Sequence, residues 1–481
     1  MKFVTPDILP AVPEIFVFSM ACAILIIDLF LSDRWRVVCY WLAQVTLVGA
    51  LLLTLKTMSV VPVFTFNRMF VADYLATLLK LGTYGITFFV FAYSRDYLRD
   101  RNMFRGEYFV LSLFGVVGMM IMASASHFLT LYLGLELFAL SLYAMIAFQR
   151  DSAMATEAAM KYFVLGAIAS GMLLYGMSML YGATGNLEIA AVSRVVAKMP
   201  ADDVILIFGL VFVIAGLAFK VGAVPFHMWV PDVYHGAPTA VALYIGAAPK
   251  LAAFALFMRL LVGGLEPLAG SWQTMLIIIA LLSMAIGNIV AIAQDNIKRM
   301  LAYSSISHMG FFLLGILSAG PNGYSSALFY ILVYAVMSAG SFGMIILLSH
   351  AGFEAERLED FRGLNQRSPW HAFLMMLLML SMAGVPPTAG FYAKLLVIQS
   401  IINVNMVSLA VVSVLLAVIG AYYYLRVIKL MYFDDATEHS PIRARWDMQA
   451  LLGMNALLLV GVLPWVGTIM DWCQQAIRAL S

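Results

Sequence analysis

Long apolar blocks separated by short polar stretches run from one end of the chain to the other. A helix crosses a bilayer with about 20 mostly apolar residues. Fourteen blocks approach or exceed that length, at roughly 10–31, 35–55, 71–94, 108–125, 127–148, 158–182, 204–235, 238–262, 272–294, 300–319, 325–350, 370–403, 407–432 and 449–470. The pattern predicts an all-α polytopic membrane protein, a single membrane domain of about 14 transmembrane helices.

Blocks seven and twelve are too long for one simple helix, and each holds a proline-centred break, "GAVPFHMWVP" and "AGVPPTAGF". Proline removes a backbone donor and clashes with the preceding turn. The carbonyls it frees need polar partners that lipid cannot supply, so a discontinuous helix belongs beside a protein-lined, hydrated cavity. Breaks in corresponding positions point to an internal repeat of the kind transporters use. Helices 7 and 12 are five apart, so helices 4–8 (residues 108–262) and 9–13 (272–432) form the expected units. Five is odd, so the second unit enters the bilayer from the opposite side and the repeat is expected to be inverted. Helices 1–3 (1–107) and the last helix (449–470) fall outside it.

Composition agrees with a membrane chain: of 481 residues, 63% are hydrophobic and 11% charged, against about 25% charged in soluble domains. The N-terminal stretch lacks a small-residue cleavage site and reads as a retained first span. Net charge is only +2 and no polybasic run appears, which argues against nucleic-acid binding. Cys22, Cys39 and Cys473 are scattered, without the converging ligands an iron–sulfur or zinc site needs. No glycine-rich nucleotide motif occurs. Metal, redox and nucleotide chemistry within this chain are therefore not expected. Loops after odd-numbered blocks carry fourteen Lys and Arg residues against six on the other side. This asymmetry places the odd loops on the cytoplasmic side of the membrane and both termini on the opposite side.

Ionisable side chains at membrane depth cost about 2.5–3.5 kcal/mol each on insertion scales, so each calls for a partner or a role. Glu136 lies near the middle of helix 5 and Lys250 near the middle of helix 8; Lys220 ends the first half of helix 7, and Lys394 lies in the second half of helix 12. Structural ion pairing explains such groups in one reading, a proton relay in the other, since burial weakens a lysine's hold on its proton and a nearby carboxylate restores it. Lys161 has Glu157 one turn earlier, which fits an i,i+4 pair or snorkelling. His227 and His308 either satisfy broken backbone or pass protons. Lys298 and Arg299 read as headgroup anchors. Lys80 sits in helix 3 with Asp73 seven residues earlier, and an interface role toward a neighbouring subunit is expected for it.

The motifs "YLGLEL", "AAMKYFVLGA", "GLAFKVGAVPFHMWVPDVYHGAPTAVA", "AAPKLAAF", "NIKRMLAYSSISHMGF" and "SMAGVPPTAGFYAKLLV" closely resemble the proton-translocating membrane subunits of bacterial NADH–quinone oxidoreductase. The resemblance covers essentially the whole chain and extends to the multi-subunit Na+/H+ antiporters. It implies a fourteen-helix antiporter-like subunit, driven by quinone reduction elsewhere, working in a hetero-oligomer with other membrane subunits, lipid and protons. It also implies that this chain holds no cofactor, with NADH, FMN, iron–sulfur clusters and quinone bound in other subunits. Under it, Glu136 is the coupling glutamate, Lys220 its partner, Lys161 the lysine of helix 6, Lys250 the central connecting lysine and Lys394 the terminal one. An organic-solute transporter would also use broken helices but needs a substrate-sized polar pocket that the sequence does not offer.

Overall fold

The computed structural model of the protein describes residues 6–59, 61–436, 442 and 445–480; Lys2 and Arg443, counted above among the loop charges, lie outside them. Helices dominate: α1 (Val12–Asp28), α2 (Val37–Lys56), α3 (Tyr74–Asp100), α4 (Gly106–Ala123), α5 (Phe128–Ile146) and α6 (Ala153–Thr184) follow the first six apolar blocks. A short helix α7 (Ile189–Val196) has no counterpart among those blocks. Block seven divides into α8 (Val204–Val221) and α9 (Trp229–Gly236). Next come α10 (Thr239–Phe257), a π-turn at Met258–Val262, α11 (Gly263–Leu265), α12 (Ala269–Ile292), α13 (Ile297–Leu317) and α14 (Pro321–Leu348). After the short α15 (Leu364–Arg367), block twelve divides into α16 (Pro369–Ala383) and α17 (Ala389–Asn403); α18 (Val407–Phe433), α19 (Trp446–Gly461) and α20 (Val466–Arg478) end the chain.

Among the described residues, eleven helices are long and apolar enough to cross a membrane, or up to twelve if the pair Trp446–Gly461 and Leu463–Arg478, bent by 51°, is one span. The last apolar block, 449–470, is thus bent: Gly461 and Pro464 interrupt it, because proline cannot continue the ladder.

Two β-strands depart from the all-helical expectation. Val63–Thr65 and Phe70–Ala72 pair antiparallel in the register Val63↔Ala72, Phe64↔Val71 and Thr65↔Phe70. The hairpin docks on the loops at the same end of the bundle: Val71 N donates to Ser124 O at 2.8 Å, Phe128 N to Leu187 O at 3.0 Å, and Arg68 Nε to Glu188 Oε1 at 2.7 Å. At the opposite end, Ile297 N donates to Glu356 O at 2.7 Å and Leu358 N to Asp295 O at 2.9 Å, while Arg101 Nη2 reaches Phe353 O at 3.1 Å. Loops after even blocks therefore gather on one face and loops after odd blocks on the other. The core runs through α10, α13 and α14, in which nearly every residue is buried. Close helix approach is built on small residues. A Cβ on Gly118 would lie 2.6 Å from the Gly134 carbonyl oxygen, so α4 and α5 touch backbone to backbone there.

Candidate functional site

The two breaks are built alike. α8 ends at Val221 and is closed by Gly222 at φ +77°, with Gly222 N bonded to Phe219 O and Ala223 N to Ala218 O. α16 ends at Ala383 and is closed by Gly384 at φ +83°, with Gly384 N bonded to Ser381 O and Val385 N to Leu380 O. A left-handed glycine closed by a six-residue backbone bond is the Schellman cap. It is written in the sequence as "KVGAVP" and "MAGVPP", and each break contains a cis peptide, Val224–Pro225 and Pro386–Pro387.

A cap satisfies only part of a helix end, and lysines supply the rest. Lys250, on α10 and 2% exposed, donates from Nζ to Val221 O at 3.0 Å. Lys394, on α17, donates to Met382 O and Ala383 O, both at 2.9 Å. Each lysine thus holds the carbonyl just before the cap glycine. No carboxylate pairs with either among the described residues. Gly384 is required twice over: its φ suits glycine, and a Cβ there would meet Lys394 Cδ at 2.8 Å.

Lys220, one residue before the end of α8, donates to Ser170 Oγ on α6 at 3.1 Å. No ion pair joins it to Glu136, whose Oε1 is buried with no hydrogen-bond partner. α6 packs against both α5 and α8 and lies between the helices that carry the two groups. What Lys220 shares with Lys250 is a cavity of about 20 Å³, lined also by Tyr162, Trp229 and Pro249, room for roughly one water.

His308 on α13 is the centre of a buried hydroxyl cluster: its Nδ1 lies 2.6 Å from Tyr330 Oη and its Nε2 3.1 Å from Tyr424 Oη. Tyr424 Oη is 2.5 Å from Ser304 Oγ. Tyr330 stacks on Phe311, whose ring centroid lies 5.1 Å from Lys394 Nζ. The histidine is therefore linked through Tyr330 and Phe311 to Lys394 and does not hold broken backbone. His227 lies in the first break, with Nδ1 buried and unbonded, away from the lysine cavity's lining.

Lys161 stands apart. Its side chain is 46% exposed, and Nζ lies 2.9 Å from both Glu157 Oε1 and Asp232 Oδ2; Asp232 also takes Arg299 Nη1 at 3.1 Å. Lys298 is not a headgroup anchor but a buried group, held by Ala237 O and Glu356 Oε1 at 3.0 Å each.

Two buried ion pairs escaped the sequence reading. Lys80 Nζ contacts Glu14 Oε1 of α1 at 2.5 Å, both side chains buried, so the anticipated intersubunit partner is corrected to one inside the chain. Asp73 is committed elsewhere: its carboxylate takes Arg259 Nη1 and Nη2 at 2.6 and 2.9 Å and caps α3 through Ala76 N. Arg259 also donates to Ala123 O. An acidic residue early in the first apolar block and a lone arginine closing the eighth were the available signals.

Residues 125–420 match the family model described as "NADH:quinone oxidoreductase/Mrp antiporter, TM". The chain is 61% identical over 480 residues to NADH-quinone oxidoreductase subunit N of Thioalkalivibrio sulfidiphilus, covering 99% of this chain and 100% of that one. With the same subunit of Thiobacillus denitrificans it shares 58% over 470 residues, 97% of each. Among solved structures, a chain of respiratory complex I from Thermus thermophilus with bound aureothin superposes with a TM-score of 0.82 at 27% identity, covering 95% of this chain and 98% of that chain. A chain of the Mrp complex from Dietzia sp. gives 0.85 at 19% identity over 98% and 97%, a likeness of fold alone. With relatives this similar along nearly its whole length, the chain belongs to the NADH-quinone oxidoreductase subunit N family.

Proposed function

We propose that this chain translocates protons across the bacterial inner membrane as a subunit of NADH-quinone oxidoreductase, through a relay running from Glu136 by Lys220 and Lys250 to Lys394. The observation that carries the reading is the bonding of Lys250 and Lys394 to backbone carbonyls at the two helix breaks. A carbonyl bears no full charge. When such a lysine gives up its proton, the remaining amine still donates to the same oxygen, and no opposite charge is stranded in a dry interior. The position is held in both protonation states. Lys220 and Lys250 line one cavity, so a proton arriving on one disfavours a proton on the other, since like charges repel. The His308 cluster offers hydroxyl and imidazole groups that can accept and donate beside Lys394. His227 and Lys161 enter this reading as access groups at the first break and the odd-loop face.

The architecture proposed with it has fourteen spans. Thr239–Ile292 is 54 residues, about 80 Å at 1.5 Å per residue, and counts as two. Pro369–Ala383 with Ala389–Asn403 counts as one broken span, and the bent C-terminal pair as one more. The matching caps at Gly222 and Gly384 support two inverted five-helix repeats, and the loop charges support periplasmic termini. NADH, FMN, iron–sulfur clusters and quinone belong in this proposal to other subunits. The Na+/H+ antiporter alternative shares the fold; the high identity to subunit N relatives favours the oxidoreductase.

Lys220→Ala in the assembled complex is the test. Proton pumping per quinone reduced should fall severalfold while the amount of complex stays close to wild type. Full pumping in a fully assembled variant would remove Lys220 from the relay.

A further inference from the structure

On the odd-loop face, α1, α3, α4 and α5 leave a two-part recess that the relay does not use. Its outer part is a cleft of about 630 Å³ lined by Arg34, Arg36, Arg99, Arg105, Asn102 and Asp33. Its inner part is a groove of about 280 Å³ lined by Leu25, Leu111, Phe114 and Phe148, with Arg105, Arg150 and Glu107 at its mouth. Arg105 lines both. Five arginines therefore face two carboxylates in a recess that is charged at one end and apolar at the other.

The arginines differ in commitment. Arg36 is held by Asp33 at 2.7 Å, and Arg99 lies 3.8 Å from Asp96 with its guanidinium 4.8 Å above Phe104. Arg34, Arg105 and Arg150 form no ion pair among the described residues. Beside the cleft, Phe30 and Trp35 are 84% and 61% exposed. Exposed aromatic residues next to basic ones are the pattern of the membrane–water boundary.

We propose that this recess binds an anionic phospholipid, its phosphate held by Arg34, Arg105 and Arg150 and one acyl chain lying along Leu25, Leu111 and Phe114. Arginine pairs with phosphate through two parallel N–H bonds, and basic pockets between spans hold anionic head groups. A soluble anion would use the cleft and leave the groove unfilled. An acidic protein segment would do the same. Only an amphiphile matches both ends.

The complex, purified in mild detergent and passed through vesicles of phosphatidylcholine with or without phosphatidylglycerol, provides the test by native mass spectrometry of retained lipid. Wild type should keep phosphatidylglycerol on this subunit. Each of Arg34→Gln, Arg105→Gln and Arg150→Gln should lower retention about fivefold, the effect of about 1 kcal/mol per basic residue at a membrane surface. Lys429→Gln, an exposed cation on the same face, should leave it unchanged. Equal retention in all variants overturns the proposal. Displacement of the lipid by millimolar inorganic phosphate would make this a free-anion site and overturns it too, as does crosslinking of Arg105→Cys to a neighbouring subunit with no lipid retained.

Discussion

Two groups of cations lie inside this protein, and they are satisfied by opposite means. Around α1 and α3, Lys80 meets Glu14 and Arg259 meets Asp73, each cation against a carboxylate within hydrogen-bond distance. Along the helix breaks, the hydrogen bonds of Lys250 and Lys394 among the described residues go to carbonyls, and that of Lys220 to a hydroxyl. Removing the proton from Lys80 would strand the charge of Glu14 in an apolar setting. Removing it from Lys394 strands nothing. In the proposed relay, burial alone does not mark a member; the charge of the partner does.

The largest effect expected from breaking this contrast is in the paired region. Asp73→Ala leaves Arg259 buried and uncompensated and takes away the cap of α3. Losing one partner of a buried pair costs about 3–5 kcal/mol. The variant should assemble poorly, as read by complex yield and thermal stability in detergent. The double variant Asp73→Leu with Arg259→Met should recover much of that loss. A stable, fully assembled Asp73→Ala would show that the pair is not structural.

Lys80→Met is expected to act in the same direction, with Glu14 left as the stranded charge. Assembly should fall while pumping per assembled complex stays near wild type. Normal assembly with poor pumping would move Lys80 into the relay and dissolve the contrast. Restoration by Glu14→Gln in the Lys80→Met background would sharpen it.

Gly384→Ala gives the smallest stability effect of the three. A left-handed backbone costs a residue with a Cβ about 1–2 kcal/mol, and the added methyl also presses on Lys394. Pumping should drop more than stability does, because the stem of the terminal lysine must shift. The equivalent change Gly222→Ala meets Val230 instead, so it should cost stability without displacing a lysine. Equal losses of pumping in the two variants would mean that cap strain, not the lysine's position, governs the effect.

The contrast also marks how far the sequence could be read. Spans and breaks were legible because apolar length and proline act locally, and the cap glycines sit in the same strings as the prolines. Lys220, Lys250 and Lys394 were legible as charges out of place. Their partners were not. Glu14 and Lys80 are 66 positions apart and Asp73 and Arg259 186, and helical periodicity carries no information over such distances. Lys298 read as a headgroup anchor because its sequence neighbours are a polar turn, yet Glu356 folds over it from a loop about sixty residues on. The hairpin at 63–72 is only three residues per strand, too short for an alternating pattern to declare itself. The bend after Gly461 lay within an apolar run that hydropathy alone reads as continuous.

The central claim is that Lys394 works by losing its proton rather than by carrying a fixed charge. Arginine keeps the charge and the donors but does not deprotonate in a protein. The decisive measurement is proton pumping, normalised to quinone reduction, in reconstituted wild type, Lys394→Ala and Lys394→Arg complexes of matched assembly. The account predicts that the arginine form pumps nearly as poorly as the alanine form. Robust pumping by Lys394→Arg would contradict it and leave Lys394 as a structural cation that only holds the end of α16.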